Sequence, residues 1–186
     1  YYCGLLEFED MAFCLHYLRS EDVFFDVGAN VGIFSILASG HVGCQSIAFE
    51  PDNDTIVNLN ENISINQISN KVKLIRMAVG EEEGVVRFSK SKDTINHVVI
   101  ESDTITSFTE VNMTSLNQFT DTCPALIKID VEGFEWNVLN GATNILQDPK
   151  LSALIIEING SGSYFGVDDK LLHQFITQYG FSPYSY

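Results

Sequence analysis

Short apolar runs alternate along this chain with stretches in which apolar positions recur every three or four residues, the periods of buried strands and of one-sided helices. Phe8, Met11, Leu15 and Leu18 predict a leading helix within residues 1–20. Val23–Val27 reads as a first strand, Val31–Ser39 as a helix stopped by Gly40, and Gln45–Phe49 as a second strand. Ile56, Leu59 and Ile63 then share a helix face, begun by Pro51 and a turn of acids that suits the helix dipole. Val72–Val79 is a third strand halted by Gly80, and Val85–Phe88 an added antiparallel strand after the Glu81–Gly84 turn. The polar, poorly periodic stretch from Ser89 to Thr122 is expected to be a long, partly ordered connection carrying substrate contacts. Ala125–Ile129 is a fourth strand, and Trp136, Leu139, Ala142, Ile145 and Leu146 mark the helix after it. Leu154–Ile158 is a fifth strand, followed by a last helix through Leu171, Leu172, Phe175, Ile176 and Tyr179 that Gly180 closes. Phe181–Tyr186 begins a further strand, whose terminal aromatics point to assembly of an oligomer through that edge. The alternation predicts an α/β fold, an open Rossmann-like sheet of mostly parallel strands with helices on both faces. No repeat or low-complexity linker divides it, so residues 1–186 read as a single domain.

Composition narrows the function classes. With 45% hydrophobic residues and a mean hydropathy of +0.08, the chain forms an ordinary core, and no apolar run is long enough for a membrane span. The start, Tyr1-Tyr2-Cys3-Gly4, has neither a basic region nor a cleavage pattern, so it does not read as a signal peptide. It also lacks an initiator Met, and the true start is expected upstream. Cys3, Cys14, Cys44 and Cys123 show no C-x-x-C spacing, which predicts free, buried thiols and a reducing, cytoplasmic location. Net charge is −15. Residues 1–70 hold ten acids against one base, and residues 93–186 twelve against three. Tight nucleic-acid binding takes about 6–10 phosphate contacts, and a field this acidic argues against a nucleic-acid partner.

The chemistry concentrates at strand tips. Asp26-Val27-Gly28-Ala29-Asn30-Val31-Gly32 follows the first strand and opens a helix, and Phe49-Glu50-Pro51 ends the second. Glycines at such a turn let backbone approach a ligand, and a carboxylate at the next tip accepts hydrogen bonds from both hydroxyls of a ribose. The dinucleotide fingerprint needs a second glycine where pyrophosphate meets the helix; here that position is Asn30. A carboxylate at Asp26 repels pyrophosphate and suits a cation, so the motif matches S-adenosylmethionine, with its ammonium and sulfonium, better than a dinucleotide. The plainer alternative is that Asp26 only satisfies turn amides and the glycines only turn the chain. At the fourth strand tip, Asp130, Glu132 and Glu135 crowd three carboxylates, one of which can be tuned as a base. Glu132 and Glu135 equally suit the first turn of a helix.

DVGANVG, FEP, MAVG, IKIDVEGFE and IIEIN stand here in the order of FkbM-type methyltransferases, which the chain resembles from about Asp22 to Tyr186. The resemblance implies a class I fold, a seven-stranded sheet of order 3-2-1-4-5-7-6 with its last strand antiparallel. This chain supplies about six core strands, so the closing one is expected to be missing through truncation. It implies S-adenosyl-L-methionine as cofactor, with Asp26, Gly28, Asn30 and Gly32 at its methionine part, Glu50 on the ribose, and Met77 and Ala78 beside the adenine. It places Asp130 and Glu132 facing the methyl group and the acceptor, a small molecule or glycan with a hydroxyl. Where family members carry Leu-Asp before strand four, this chain has Leu116-Asn117.

An alcohol is a weak nucleophile, so in-line transfer to it calls for a positioned base; Asp130, Glu132 and His97 are the candidates. No dedicated metal-ligand set is visible. The turn after strand four, Asp130-Val131-Glu132-Gly133, lacks the Asn/Asp-Pro-Pro-aromatic pattern expected of enzymes that methylate nucleobase nitrogens. Two other readings stay open: an NAD-dependent oxidoreductase, and a non-catalytic binding domain on the same fold.

Overall fold

The computed structural model of the chain describes residues 7–89, 98–99 and 107–184. Helix α1 (Phe8–Tyr17) leads into strand β1 (Val23–Val27), then α2 (Ile33–Ile36) and β2 (Gln45–Phe49). Helix α3 (Asn53–Ile65) and strands β3 (Val72–Ile75), β4 (Ala78–Val79), β5 (Gly84–Ser89) and β6 (Phe108–Thr114) follow. A 3-10 turn (Leu116–Thr122) precedes β7 (Leu126–Ile129), α4 (Glu135–Asn140), α5 (Thr143–Leu146), β8 (Ala153–Ile156) and α6 (Asp169–Gln178). The main sheet is all parallel in the order β3-β2-β1-β7-β8, which is the first five positions of the expected order.

Side-chain alternation divides the sheet's two faces. Phe25, Val27, Ile127 and Ile129 point into a core closed by Val138 and Leu139 of α4 and Leu172 of α6. Phe24 and Leu126 point the other way, onto Met11 and Cys14 of α1 and Phe34 of α2, while Ala48 meets Leu59 and Ile63 of α3. Helices therefore cover both faces, as parallel strands require. Cys14, Cys44 and Cys123 are free and buried, and Cys3 lies outside the described residues. Among the described residues no helix is long and apolar enough to cross a membrane.

Four expectations need correction. The third strand breaks at Arg76-Met77: β3 stays beside β2, while Ala78 and Val79 cross to pair with Met113 and Thr114 in a second sheet of order β4-β6-β5. Within the supposedly irregular 89–122 stretch lies a full strand, β6, antiparallel to β5. Its polar sequence conceals it because among its seven residues only Val111 and Thr114 are buried. The helix after β1 is not stopped by Gly40; it runs on as a π-helical turn (Leu37–Val42) and ends at Gly43, which is left-handed with φ 94°. Phe181–Tyr184 form no strand, and residues 185 and 186 lie outside the described set. At the departure from the family pattern, Asn117 supports the scaffold. Its Oδ1 accepts from the Asn144 amide at 2.8 Å, in the first turn of α5.

A buried ion cluster joins the central strands. Asp26 of β1 is the register partner of Lys128 of β7, and both are enclosed, at 1% and 5% exposure. The Lys128 ammonium lies 2.8 Å from Oδ2 of Asp130 and 4.9 Å from the Phe34 ring centre. Oδ2 of Asp26 accepts from the Ser35 amide at 3.0 Å and from its hydroxyl at 2.7 Å, which fixes the start of α2 to β1. Burial pushes the Asp26 carboxyl up, against the pull of Lys128 and the Ser35 hydrogen bonds. Burial works the other way on Lys128, yet Asp26 and Asp130 together outweigh it and hold the ammonium above its ordinary range. Removing Lys128 leaves the buried Asp26 carboxyl without the cation that draws it toward its ionised form. Lys128→Met is therefore expected to lower the unfolding free energy by about 3–5 kcal/mol, and Asp26→Asn in the same chain to recover part of that loss. Urea denaturation measures both; an unchanged midpoint for Lys128→Met would show that the cluster does not hold the strands together.

Candidate functional site

At the carboxyl ends of β1, β2 and β7 the chain leaves a cleft of about 320 Å³. Open parallel sheets bind ligands at this edge. Its first wall is the turn after β1. The Gly28 and Ala29 amides donate to the Phe49 carbonyl at 3.1 and 3.0 Å, which folds the turn over the tip of β2. Gly28 is left-handed (φ 76°), and a Cβ there would run into the Asp130 carbonyl oxygen, so only glycine lets β1 and β7 come this close. Asn30 is also left-handed (φ 50°), a conformation asparagine tolerates, and this aims its amide at Glu50.

Glu50 is the anchor of the cleft. One carboxylate oxygen accepts from the Asn30 amide and the other from the Asp52 amide, each at 2.9 Å. Each oxygen keeps a second lone pair. Burial pushes this carboxyl up to about 7, opposed by the two amides and reinforced by the charges of Asp52 and Asp26. Asp52 in turn caps α3, accepting from the Asp54 and Thr55 amides.

The opposite wall comes from the break between the two sheets. Met77, Ala78 and Val79 line it, joined by Phe88 of β5 and by Val98, which bridges to Phe88. The third side is the turn after β7, where Asp130, Val131, Glu132 and Phe134 reach the cleft. Glu132 is left-handed (φ 53°) and Gly133 follows at φ 100°. A non-glycine residue held there costs about 1–3 kcal/mol. Glu135 offsets that strain: one of its oxygens accepts from the Val131 and Gly133 amides at 3.2 and 3.1 Å, pinning the turn from inside. Glu135 is buried and belongs to the scaffold rather than to the cleft.

Gly28, Asn30, Glu50, Met77, Ala78, Asp130 and Glu132 thus come together around one cavity. Asp26 and Gly32 do not line it. Asp26 lies beneath, bound to Ser35, and Gly32 caps the start of α2, where a Cβ would press on Leu59. His97 lies outside the described residues. Sequence reasoning misses two charged residues at this edge. The signal for Lys128 is a lone cation inside a buried strand, and that for Glu157 is its place one residue past β8, next to the tip of β7. Among the described residues no group of three His, Cys, Asp or Glu side chains is arranged to hold a metal ion.

The lining fits the adenosine of S-adenosylmethionine. A clamped carboxylate suits a vicinal diol, and Met77, Val79, Phe88 and Val98 offer an apolar wall for a flat base. The described lining residues include no lysine, arginine or histidine to meet a pyrophosphate. Beneath the turn, Oδ1 of Asp26 is buried with no hydrogen-bond partner among the described residues.

Comparison with known proteins agrees with this geometry. Residues 26–183 match the methyltransferase FkbM domain. A relative, the hexuronic acid methyltransferase AglP of Haloferax volcanii, is 31% identical over 154 residues; the match covers 82% of this chain and 60% of the relative's length. Among solved structures, the methyltransferase FkbM of Methylobacillus flagellatus superposes with a TM-score of 0.60 at 19% identity, over 87% of this chain and 39% of that one. A precorrin-6y C5,15-methyltransferase from Geobacter metallireducens reaches 0.57 at 13% identity, over 97% and 75%. These two likenesses speak for the fold alone, a class I, Rossmann-like methyltransferase sheet. The family match covers the strands, the glycine turn and the acidic turn that build the cleft, and the chain belongs to the FkbM methyltransferase family.

Proposed function

We propose that this chain is an S-adenosylmethionine-dependent methyltransferase domain that methylates a hydroxyl on a sugar, glycan or small metabolite. The observation that carries the reading is Glu50, a carboxylate held by two backbone amides at a strand tip, facing a cleft whose described walls hold no cation. Family membership supports the reaction class, and the hexuronic acid methyltransferase among the relatives supports a sugar acceptor.

In this reading Glu50 takes the ribose hydroxyls, and Met77 and Ala78 flank the adenine. The Gly28–Asn30 turn holds the methionine part, over Asp26 and Gly32, which act through the turn and the start of α2. Asp130 and Glu132 face the acceptor. The cofactor supplies a methyl group carried on a cationic sulfur. The residues of the chain align the acceptor oxygen, keep water out and receive a proton; orientation alone can supply about 7–11 kcal/mol of a barrier.

Glu50→Ala is expected to weaken S-adenosylhomocysteine binding on the order of 100-fold or more, because two charge-assisted hydrogen bonds are lost together. Calorimetry measures this, with a thermal unfolding scan to confirm that the variant folds; unchanged affinity would sink the site assignment. A shift in unfolding temperature with NADH and none with S-adenosylhomocysteine would favour an oxidoreductase instead.

The pH dependence has a defined sign. Burial holds the free Glu50 carboxyl up to about 7, and ribose hydroxyls would donate to its ionised form, so binding is expected to expel the proton. Affinity is therefore expected to fall about tenfold per pH unit below that midpoint and to level off above it. In Glu50→Gln this slope should be absent, and the same slope in both proteins would assign it to another group.

A further inference from the structure

Asn62 is on α3 and does not line the cleft, yet it grips a residue that does. Its side-chain Nδ2 donates to the Val31 carbonyl at 2.9 Å, in a half-buried contact. A carbonyl only accepts, so the amide nitrogen of Asn62, and not its oxygen, faces the turn. Around this bond the turn lies close on α3. Ala29 packs with Leu59 and Ile63, and a Cβ on Gly32 would run into Leu59.

The backbone that this bond holds is constrained. The Gly32 amide donates to the Ala29 carbonyl at 2.8 Å, which closes a tight turn around Asn30 and Val31. Asn30 is left-handed at φ 50°, a conformation that asparagine tolerates but does not prefer. Two side chains hold it there. Glu50, at the tip of β2, accepts from the Asn30 amide at 2.9 Å, and Asn62, near the end of α3, donates to the carbonyl of the next residue. Peptide planes are rigid, so only the φ and ψ of Asn30 and Val31 separate the two bonded groups. A turn that swings off α3 therefore carries the Asn30 amide away from Glu50. The other Glu50 oxygen is held independently, by the Asp52 amide at 2.9 Å.

We propose that Asn62 is a positioning residue of the cofactor site, holding the glycine turn so that the Asn30 amide stays on Glu50 and Glu50 keeps the orientation that takes a ribose. The inference rests on the reading of the cleft as an S-adenosylmethionine site. Asn62 acts through Val31, Asn30 and Glu50, and not by touching the cofactor. The charges that face Glu50 are Asp52 at the start of α3 and Asp26 of β1, while Asp130 and Glu132 reach the same cleft from the turn after β7. Against burial and these acids, the Asn30 and Asp52 amides favour the ionised carboxylate. Loss of the Asn30 amide therefore raises the pH at which Glu50 ionises.

Two variants of the full chain test this. Asn62→Ala removes the donor, and Asn62→Asp keeps the size while setting a carboxylate against the Val31 carbonyl. Calorimetry with S-adenosylhomocysteine is expected to show affinity weaker on the order of 10-fold in both, with the midpoint of its pH dependence moved to higher pH. Thermal unfolding scans confirm that the variants fold. If Asn62 serves only the packing of α3, the unfolding temperature drops while affinity and midpoint stay where they are, and that result overturns the proposal. Amide hydrogen exchange followed by nitrogen-15 NMR gives a second readout that needs no ligand. In Asn62→Ala the Asn30 amide should exchange faster on the order of 10-fold, with the Asp52 amide on the other Glu50 oxygen as the control. Equal acceleration of both amides, or of neither, also overturns the proposal. A wild type that binds no S-adenosylhomocysteine would instead overturn the cofactor reading, whereas failure of the Asn62 assignment alone shows as normal wild-type binding with unmoved variants.

Discussion

The buried ammonium of Lys128, bonded to Asp130 and drawn by the charge of its register partner Asp26, is the interaction on which the geometry of this edge depends. Buried charges such as Asp26 and Lys128 add little to stability: well-packed apolar residues of similar volume serve as well or better. What the cluster supplies is position. Asp26 fixes the start of α2 through Ser35, Lys128 sits opposite Asp26 in the β1–β7 register, and Asp130 emerges where Gly28 lets the two strand tips touch. The glycine turn on one side of the cleft and the Asp130 carboxylate on the other are thus coupled through the same strand pair. An apolar triad would keep the strands together and lose that coupling.

The cleft has a second dependence, on the break in the third strand. A strand running unbroken from Val72 to Val79 would have stayed beside β2 and left the cleft open on that side. Instead the Met77 amide turns back to the Ile75 carbonyl at 3.0 Å, and Ala78 and Val79 pair with β6. The second sheet then brings Phe88 and Val98 over the cavity. In the proposed reading the second sheet supplies the wall for a flat base, and the first sheet the carboxylate for a ribose.

Much of this architecture is legible in the chain because its central strands are short, apolar and bounded by glycine or acid. Val23–Val27 and Gln45–Phe49 match the observed β1 and β2 residue for residue, and the parallel order follows from strand–helix alternation. Seven of the expected cofactor and acceptor residues line one cavity, since strand tips carry chemistry in such sheets. What stays hidden has physical reasons. The β6 strand buries only two of its residues, so its alternation is faint. Gly40 resembles a helix stop, but it has no left-handed backbone, and Gly43 has. The spacing of Asp26 suggests a ligand contact because a motif shows spacing and not direction; its side chain turns under the sheet toward Ser35. Glu157 becomes visible only when register sets it beside Asp130.

Charge bears on which oxygen of a sugar acid such a site can serve. A hexuronic acid offers two kinds of nucleophile, a carboxylate that is already ionised and hydroxyls that are not. The carboxylate needs no base and would gain from a cation near its path. Among the described residues of the cleft there is none, and the Lys128 ammonium close by is held by Asp130 at 2.8 Å. A carboxylate approaching Asp130 and Glu132 would meet like charge in a chain whose net charge is −15. A hydroxyl meets no such opposition. In the proposed reading Asp130, whose Oδ2 accepts from the Lys128 ammonium at 2.8 Å, faces that hydroxyl. The negative rim opposes an anionic nucleophile more than a neutral one, which supports the proposed hydroxyl acceptor over a carboxylate.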